Sequence, residues 1–282
     1  MSFCAIFIAL LLERFFDCSH LRQWRWFPRF QKIVTQKMFG QSSNVLFAAL
    51  LAPFMIGVLC VYIFFNDALF GFIKLFLSIP IILYCFGPRN LWADIFGCLI
   101  NIENNDAVAL REALKVSFGV VPANGPQLMH KELMNNIFIQ ANRRVFAIVI
   151  WFGILGLFGV VLYRVLSLLI GQAGDENVDQ PIANLARRIE GYMDWVSVRV
   201  FSFLFALGGH FSQVFNAWRS YVGRNVESND AMLVDCGVAA LSLDANKDLP
   251  TNGSIEKEQI GLLDRSFAIM LVILALLVFW IP

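Results

Sequence analysis

Long apolar runs separated by shorter polar stretches dominate the chain, and the lengths of those runs set the first expectations. Val45 to Phe65 carries no charge, Ala68 to Phe86 carries only Lys74, and Val145 to Tyr163 carries none and continues past Arg164 to Ile170. A membrane-spanning helix needs about 20 largely apolar residues, so each run predicts one. Ser266 to Pro282 predicts a fourth, a little short, with Arg265 before it and Trp280 placed to anchor at an interface. Two further stretches fit less simply. Ser2 to Phe16 ends on Glu13-Arg14 and predicts either a short, tilted span or an interfacial helix. Trp195 to Phe215 is apolar and aromatic but holds Arg199, His210 and Gln213, which are costly if they face lipid. The expected fold is all-α: a polytopic α-helical membrane protein with four and up to six membrane-embedded helices, at about residues 2–16, 45–65, 68–86, 145–170, 195–215 and 266–282.

The polar stretches predict what lies between. Residues 87–144 read as a small helical insert: Asp106 is a helix N-cap, Ala107, Leu110, Leu114 and Phe118 come next on one face, and Gly119 stands where a C-terminal cap belongs. Pro122-Ala-Asn-Gly-Pro126 predicts a turn, and a helix from about Gln127 leads through Arg143-Arg144 into the next span. Residues 216–265 read as a polar loop. Between Ile182 and Asp194, apolar and charged residues segregate at helical spacing, which suits either an amphipathic helix on the membrane surface or a solvated one. Lys and Arg number six in residues 14–44, none in the Asn66-Asp67 loop and six in residues 87–144. Both basic segments therefore belong in the cytoplasm, with Gly171 to Asp194, including the acidic Asp175 to Asp179, outside. Residues 216–265 carry five Lys or Arg and eight acids, which does not choose a side.

Composition agrees with a lipid environment. The 282 residues are 58% hydrophobic and 15% charged, against roughly 25% charged for a globular domain. The net charge of +1 gives no general reason to expect nucleic acid. The first twelve residues lack a basic n-region and a small-residue cleavage site, so they are expected to be retained. Six Cys form no C-x-x-C pair, no nucleotide-binding or hydrolase signature occurs, and His20, His130 and His210 are far apart in sequence. No metal site, no cofactor and no identifiable catalytic residue are expected. Neither inverted repeats nor matched broken helices point to a transporter.

Candidate chemistry rests on polar residues inside apolar segments. In one helix, Arg199, Ser202, Ala206, His210 and Gln213 would share a narrow stripe, and Gly153, Gly156, Gly159, Tyr163 and Ser167 would share another, open to close backbone approach. Arg199 could line a ligand pocket or simply join two helices through Asp194 or Tyr163. Glu13-Arg14 could be an interfacial pair or one pole of the same cluster, and Lys74 would snorkel. The candidate polar pocket comprises Glu13, Arg14, Tyr163, Arg164, Asp194, Arg199 and His210. The run Leu21 to Arg29, rich in Arg and Trp, suits anionic headgroups.

Several of these blocks resemble the AmpE family: ALLLERFF at residues 9–16, NNDAVALREAL at 104–114, NRRVF at 142–146, the Gly-rich span ending in Tyr163-Arg164, and DWVSVRVFSFLFALGGH at 194–210. The last two also resemble cobinamide-phosphate synthases, where a Gly-rich span ends in Tyr-Arg and a later segment reads roughly as an Asp followed by P-A-R-L, of which Asp194 and Arg199 are matched. The chain departs at Ser197, where that family has Pro, and at Val198, where it has Ala. The resemblance implies a multi-pass regulatory or sensory protein of the bacterial inner membrane, linked to β-lactamase induction and cell-wall recycling. The alternative it implies is a membrane-embedded transferase or amide ligase related to cobinamide-phosphate synthase. The partners expected are the lipid bilayer, a small anionic ligand or cell-wall fragment, and a membrane or cytoplasmic protein.

Overall fold

The computed structural model describes residues 2–16, 22, 24–38, 40–64, 71–120, 125–171, 180–243 and 252–280. Those residues are largely helical and carry no strand. The Asn66-Asp67 loop, Asp175 to Asp179, Cys18, His20, and Pro122 with the first part of its turn lie outside them. Three helical stretches among them are long and apolar enough to cross a membrane: Ser43–Phe64, Pro126–Leu155 and Ser254–Leu277, with mean hydropathies of 2.5, 1.4 and 2.2. Leu75–Cys85 and Leu157–Gly171 are shorter apolar helices. The chain divides into two units, one of Met1–Pro88 with Ile148–Met193 and one of Arg89–Ala147 with Asp194–Pro282.

The first unit is built from α1 (Ser2–Phe15), α2 (Phe27–Lys37), α3 (Ser43–Phe64), α4 (Gly71–Cys85) and α9 (Leu157–Gly171), with most of α8 (Ala147–Leu155) and the start of α10 (Gln180–Gly208). Helix α1 buries Ala5, Ile6, Ala9, Leu10 and Glu13, packs against α4, and leaves Phe7, Leu11 and Phe15 exposed. Helix α3 likewise exposes Ile56, Leu59, Ile63 and Phe64. Apolar residues on both faces of these helices suit lipid and would be unfavourable in water. Helix α9 packs on α3 and α4.

The run over residues 145–170 is two helices. Gly156, between α8 and α9, has φ +63°, a left-handed conformation that glycine adopts without a Cβ penalty. The Tyr62 hydroxyl sits where a side chain would project, and Tyr62 stacks on Phe158 at 5.4 Å. The glycines therefore do not form one uninterrupted helical face; Gly156 is a break, and the long helix ending there begins at Pro126.

The second unit centres on α7 (Pro126–Ala141), which packs against α5 (Leu91–Glu103), α12 (Asn229–Ala240) and α13 (Ser254–Trp280). Two π-helical turns, Leu114–Phe118 after α6 (Ala107–Ala113) and Asn142–Phe146 after α7, shift the helical register. Asp106 caps α6 by accepting from the backbone N–H groups of Val108 and Ala109, and Gly119, at φ +69°, closes the turn after Phe118. Aromatic packing fills the core: Phe146 stacks on Phe201 at 3.4 Å and on Phe267 at 3.9 Å, and Phe138 meets Phe205 at 5.2 Å. Gly237 lets α12 approach α7 closely, because a Cβ there would come within 2.5 Å of the Phe138 ring.

The stretch over 195–215 is likewise not one helix. Helix α10 ends at Gly208, α11 (Phe211–Tyr221) starts after a two-residue break, and the His210 backbone N–H donates to the Ala240 carbonyl. Trp218 donates to the Arg199 carbonyl and Trp195 to that of Arg224, so α11 runs back along α10.

Candidate functional site

The first unit gathers its buried charges where α1 and α4 finish. Glu13, on the last turn of α1, is 1% exposed and accepts a hydrogen bond from Nη2 of Arg22, itself 1% exposed. Arg14, next to it, is half-buried. The Arg22 guanidinium stands 5.8 Å from the ring of Phe86, just past α4. Trp24 covers this region from the same connection: its indole donates to the Tyr84 carbonyl at 3.2 Å and stacks on the Tyr84 ring at 4.6 Å. Trp26, half exposed, donates to the Tyr84 hydroxyl at 3.0 Å.

Arg164 reaches the same neighbourhood from α9, beside the buried Tyr163. It is 5% exposed, and Cys85, Arg22, Tyr84 and Tyr163 lie within its electrostatic reach. It makes no hydrogen bond or ion pair with any described residue, and its Nε is buried without a partner. Nε and Nη1 of Arg22 are buried without a partner too. Burying a guanidinium costs several kcal/mol unless hydrogen bonds and counter-charge compensate it. Here the Glu13 carboxylate pairs with Arg22, and Arg164 lies within electrostatic reach of that same arginine.

The remaining candidates, Asp194, Arg199 and His210, lie in the second unit. Arg199 is 8% exposed, and its fork donates to backbone carbonyls: Trp195 at 3.0 Å, Tyr221 at 3.2 Å and Arg224 at 3.1 Å, with Asn229 Oδ1 at 3.5 Å. Its guanidinium lies 3.7 Å above the Trp195 ring. It thereby satisfies carbonyls at the C-terminal end of α11, which otherwise lack intrahelical donors. Asp194 accepts from Asn142 at 3.4 Å. His210 is exposed beside the first turn of α11, so the stripe from Arg199 to Gln213 does not persist. Glu13, Arg14, Tyr163 and Arg164 thus belong to one unit, and Asp194, Arg199 and His210 to the other.

Two buried polar groups carry no advance signal in the pattern of the chain. Asp94 accepts from Arg144 at 2.7 Å, Ser117 at 3.0 Å and Arg89 at 3.1 Å, while Arg144 also donates to Gln140 and to the Ser117 carbonyl. Ser117 and Arg144 each sit in one of the π-helical turns, which brings them to the same carboxylate. His130 Nδ1 lies 2.7 Å from Glu256 Oε1, beside a cavity of about 230 Å³ lined in part by Asn101, Asp106 and Met129. Burial pushes the Cys98 and Cys236 thiols up to about 12, so both remain protonated and unreactive at neutral pH. No group of three or more His, Cys, Asp or Glu among the described residues could hold a metal ion.

Comparison with known families decides the larger identity. The family described as regulatory signalling modulator protein AmpE matches residues 1–281. The chain belongs to the AmpE family. No curated protein matches it, and neither does any solved structure. In this member of the AmpE family, buried charged side chains include Glu13, Arg22 and Arg164 in the first unit and Asp94, Arg144, Asp194, Arg199 and Glu256 in the second.

Proposed function

We propose that the chain is a multi-pass protein of the bacterial inner membrane that modulates β-lactamase induction in response to cell-wall recycling. The observation that carries this reading is the family match over essentially the whole chain, on a molecule whose long apolar helices suit a bilayer. The buried cluster of Glu13, Tyr163 and Arg164, with Arg14 at its edge, is the input site, and a small anionic ligand or cell-wall fragment is its signal. Asp194, Arg199 and His210 belong to the unit that passes the signal to a membrane or cytoplasmic protein partner. Charges held inside apolar helices are costly and are kept where they do work.

The test is induction in a strain lacking the gene, with and without the wild-type chain supplied in trans. β-Lactamase activity after exposure to a β-lactam inducer is expected to depend on the chain, while basal activity changes little. Equal induction in both strains, with the protein confirmed in the inner-membrane fraction, overturns the reading.

A further inference from the structure

We propose that Arg22 and Arg164 hold a phosphate group at the end of the first unit where α1 and α4 finish. This rests on reading the cluster as the input site, and it names the chemistry of the group bound there. Both arginines carry unmet donors. Arg164, 5% exposed, has no hydrogen-bond partner among the described residues, and Arg22, 1% exposed, leaves Nε and Nη1 unmet after pairing with Glu13. Three buried guanidinium nitrogens on two side chains are therefore without acceptors.

Charge points the same way. Arg22 and Arg164 lie within electrostatic reach of each other, and Glu13 is hydrogen-bonded to Arg22, so these three described buried groups carry one net positive charge. Like charges held together in an apolar setting require a counter-ion. Geometry selects the kind. A carboxylate keeps its acceptor oxygens in one plane, whereas a phosphate spreads its oxygens tetrahedrally and offers acceptors to two guanidinium forks that do not share a plane. A phosphodiester carries the single negative charge that balances the site.

Position leaves two sources of that phosphate. Trp24, Trp26 and Tyr84 form an aromatic layer beside the arginines, as expected at the headgroup level of a bilayer. The phosphate could accordingly belong to an anionic phospholipid or to a soluble phosphate compound arriving from the same side.

The experiment is thermal unfolding of the purified full chain in neutral detergent. Inorganic phosphate is titrated against chloride and acetate at matched ionic strength, and phosphatidylglycerol-doped micelles are compared in parallel with phosphatidylcholine-doped ones. Wild type is expected to gain about 5 °C near saturation. A gain with inorganic phosphate assigns a soluble source, and a gain with phosphatidylglycerol alone assigns the lipid. Arg164→Met and Arg22→Met are both expected to lose the gain. Arg164→Met should also unfold no earlier than wild type without ligand, because it removes a charge that has no protein partner. If that variant fails to fold, Arg164→Lys keeps the charge without the fork and should bind on the order of tenfold more weakly. The proposal is overturned if neither additive shifts wild type, if acetate acts as well as phosphate, or if Arg164→Met loses stability and still responds. A negative result leaves the regulatory reading standing, since that is judged by induction in cells.

Discussion

Replacing Asp94 with Ala should destabilise the second unit severely, and the size of the effect is set by the partners Arg144 retains. Asp94 and Arg144 are 8% and 6% exposed and meet at 2.7 Å. Removing one partner of a buried pair costs about 3–5 kcal/mol, mostly because the other charge stays behind without compensation. Arg144 would keep the Gln140 oxygen at 2.9 Å and the Ser117 carbonyl, which places the loss near the lower end, at about 3 kcal/mol. The Arg89 contact adds little, because its side chain is 46% exposed and screened. At about 2–4 °C per kcal/mol, the expected fall in Tm is about 6–12 °C. Thermal unfolding in detergent, followed by tryptophan fluorescence, measures it. The double variant Asp94→Ala/Arg144→Met should recover about 2 kcal/mol, since the stranded charge is gone. A fall below about 2 °C for the single variant, or strictly additive losses in the double, refutes the reasoning.

Arg199→Ala should lower stability by about 2–4 kcal/mol, and adding Asp194→Ala should not restore it, because Arg199 donates to the carbonyls of Trp195, Tyr221 and Arg224. Rescue by Asp194→Ala in the same unfolding assay would show that the carboxylate is its real partner. Cys98 and Cys236, both fully buried and raised to about 12 by burial, should resist maleimide at neutral pH until denaturant is added. Their folded-state pKa lies above the unfolded value, so the stability tied to the protonated thiols holds below about pH 8.5 and is lost as pH rises towards 12. Mass spectrometry of the labelled protein reads this directly, and rapid modification in the folded state contradicts it.

Local features were legible in the chain, and features made by tertiary contact were not. The uncharged run across Val45 to Phe65 announces its helix through composition alone, and Asp106 and Gly119 mark helix ends because caps depend on residues a few positions apart. Gly156 is different. Glycine in an apolar helix reads equally as a packing surface, and only the left-handed backbone with the Tyr62 hydroxyl opposite shows it to be a break. The break before His210 depends on a hydrogen bond to Ala240, well along the chain, which no periodicity reveals. Glu13, Tyr163 and Arg164 stood out as polar residues in apolar surroundings. Arg22 did not, because its basic-aromatic run suits a headgroup layer, and its burial against Glu13 and Phe86 exists only in the folded chain. Asp94 and Arg144 are 50 residues apart and meet through two π-helical turns, for which the sequence offers no simple signature.

The most direct measurement is β-lactamase induction in cells whose only copy of the chain carries Arg164→Lys, with membrane abundance matched to wild type by immunoblot. Lysine keeps the positive charge on α9 and removes the planar fork. Because no described residue hydrogen-bonds Arg164, the substitution should leave folding and abundance unchanged. Induction is expected to fall to the level of the strain lacking the gene. Full induction by the abundant Arg164→Lys protein would contradict a regulatory input through this buried arginine cluster.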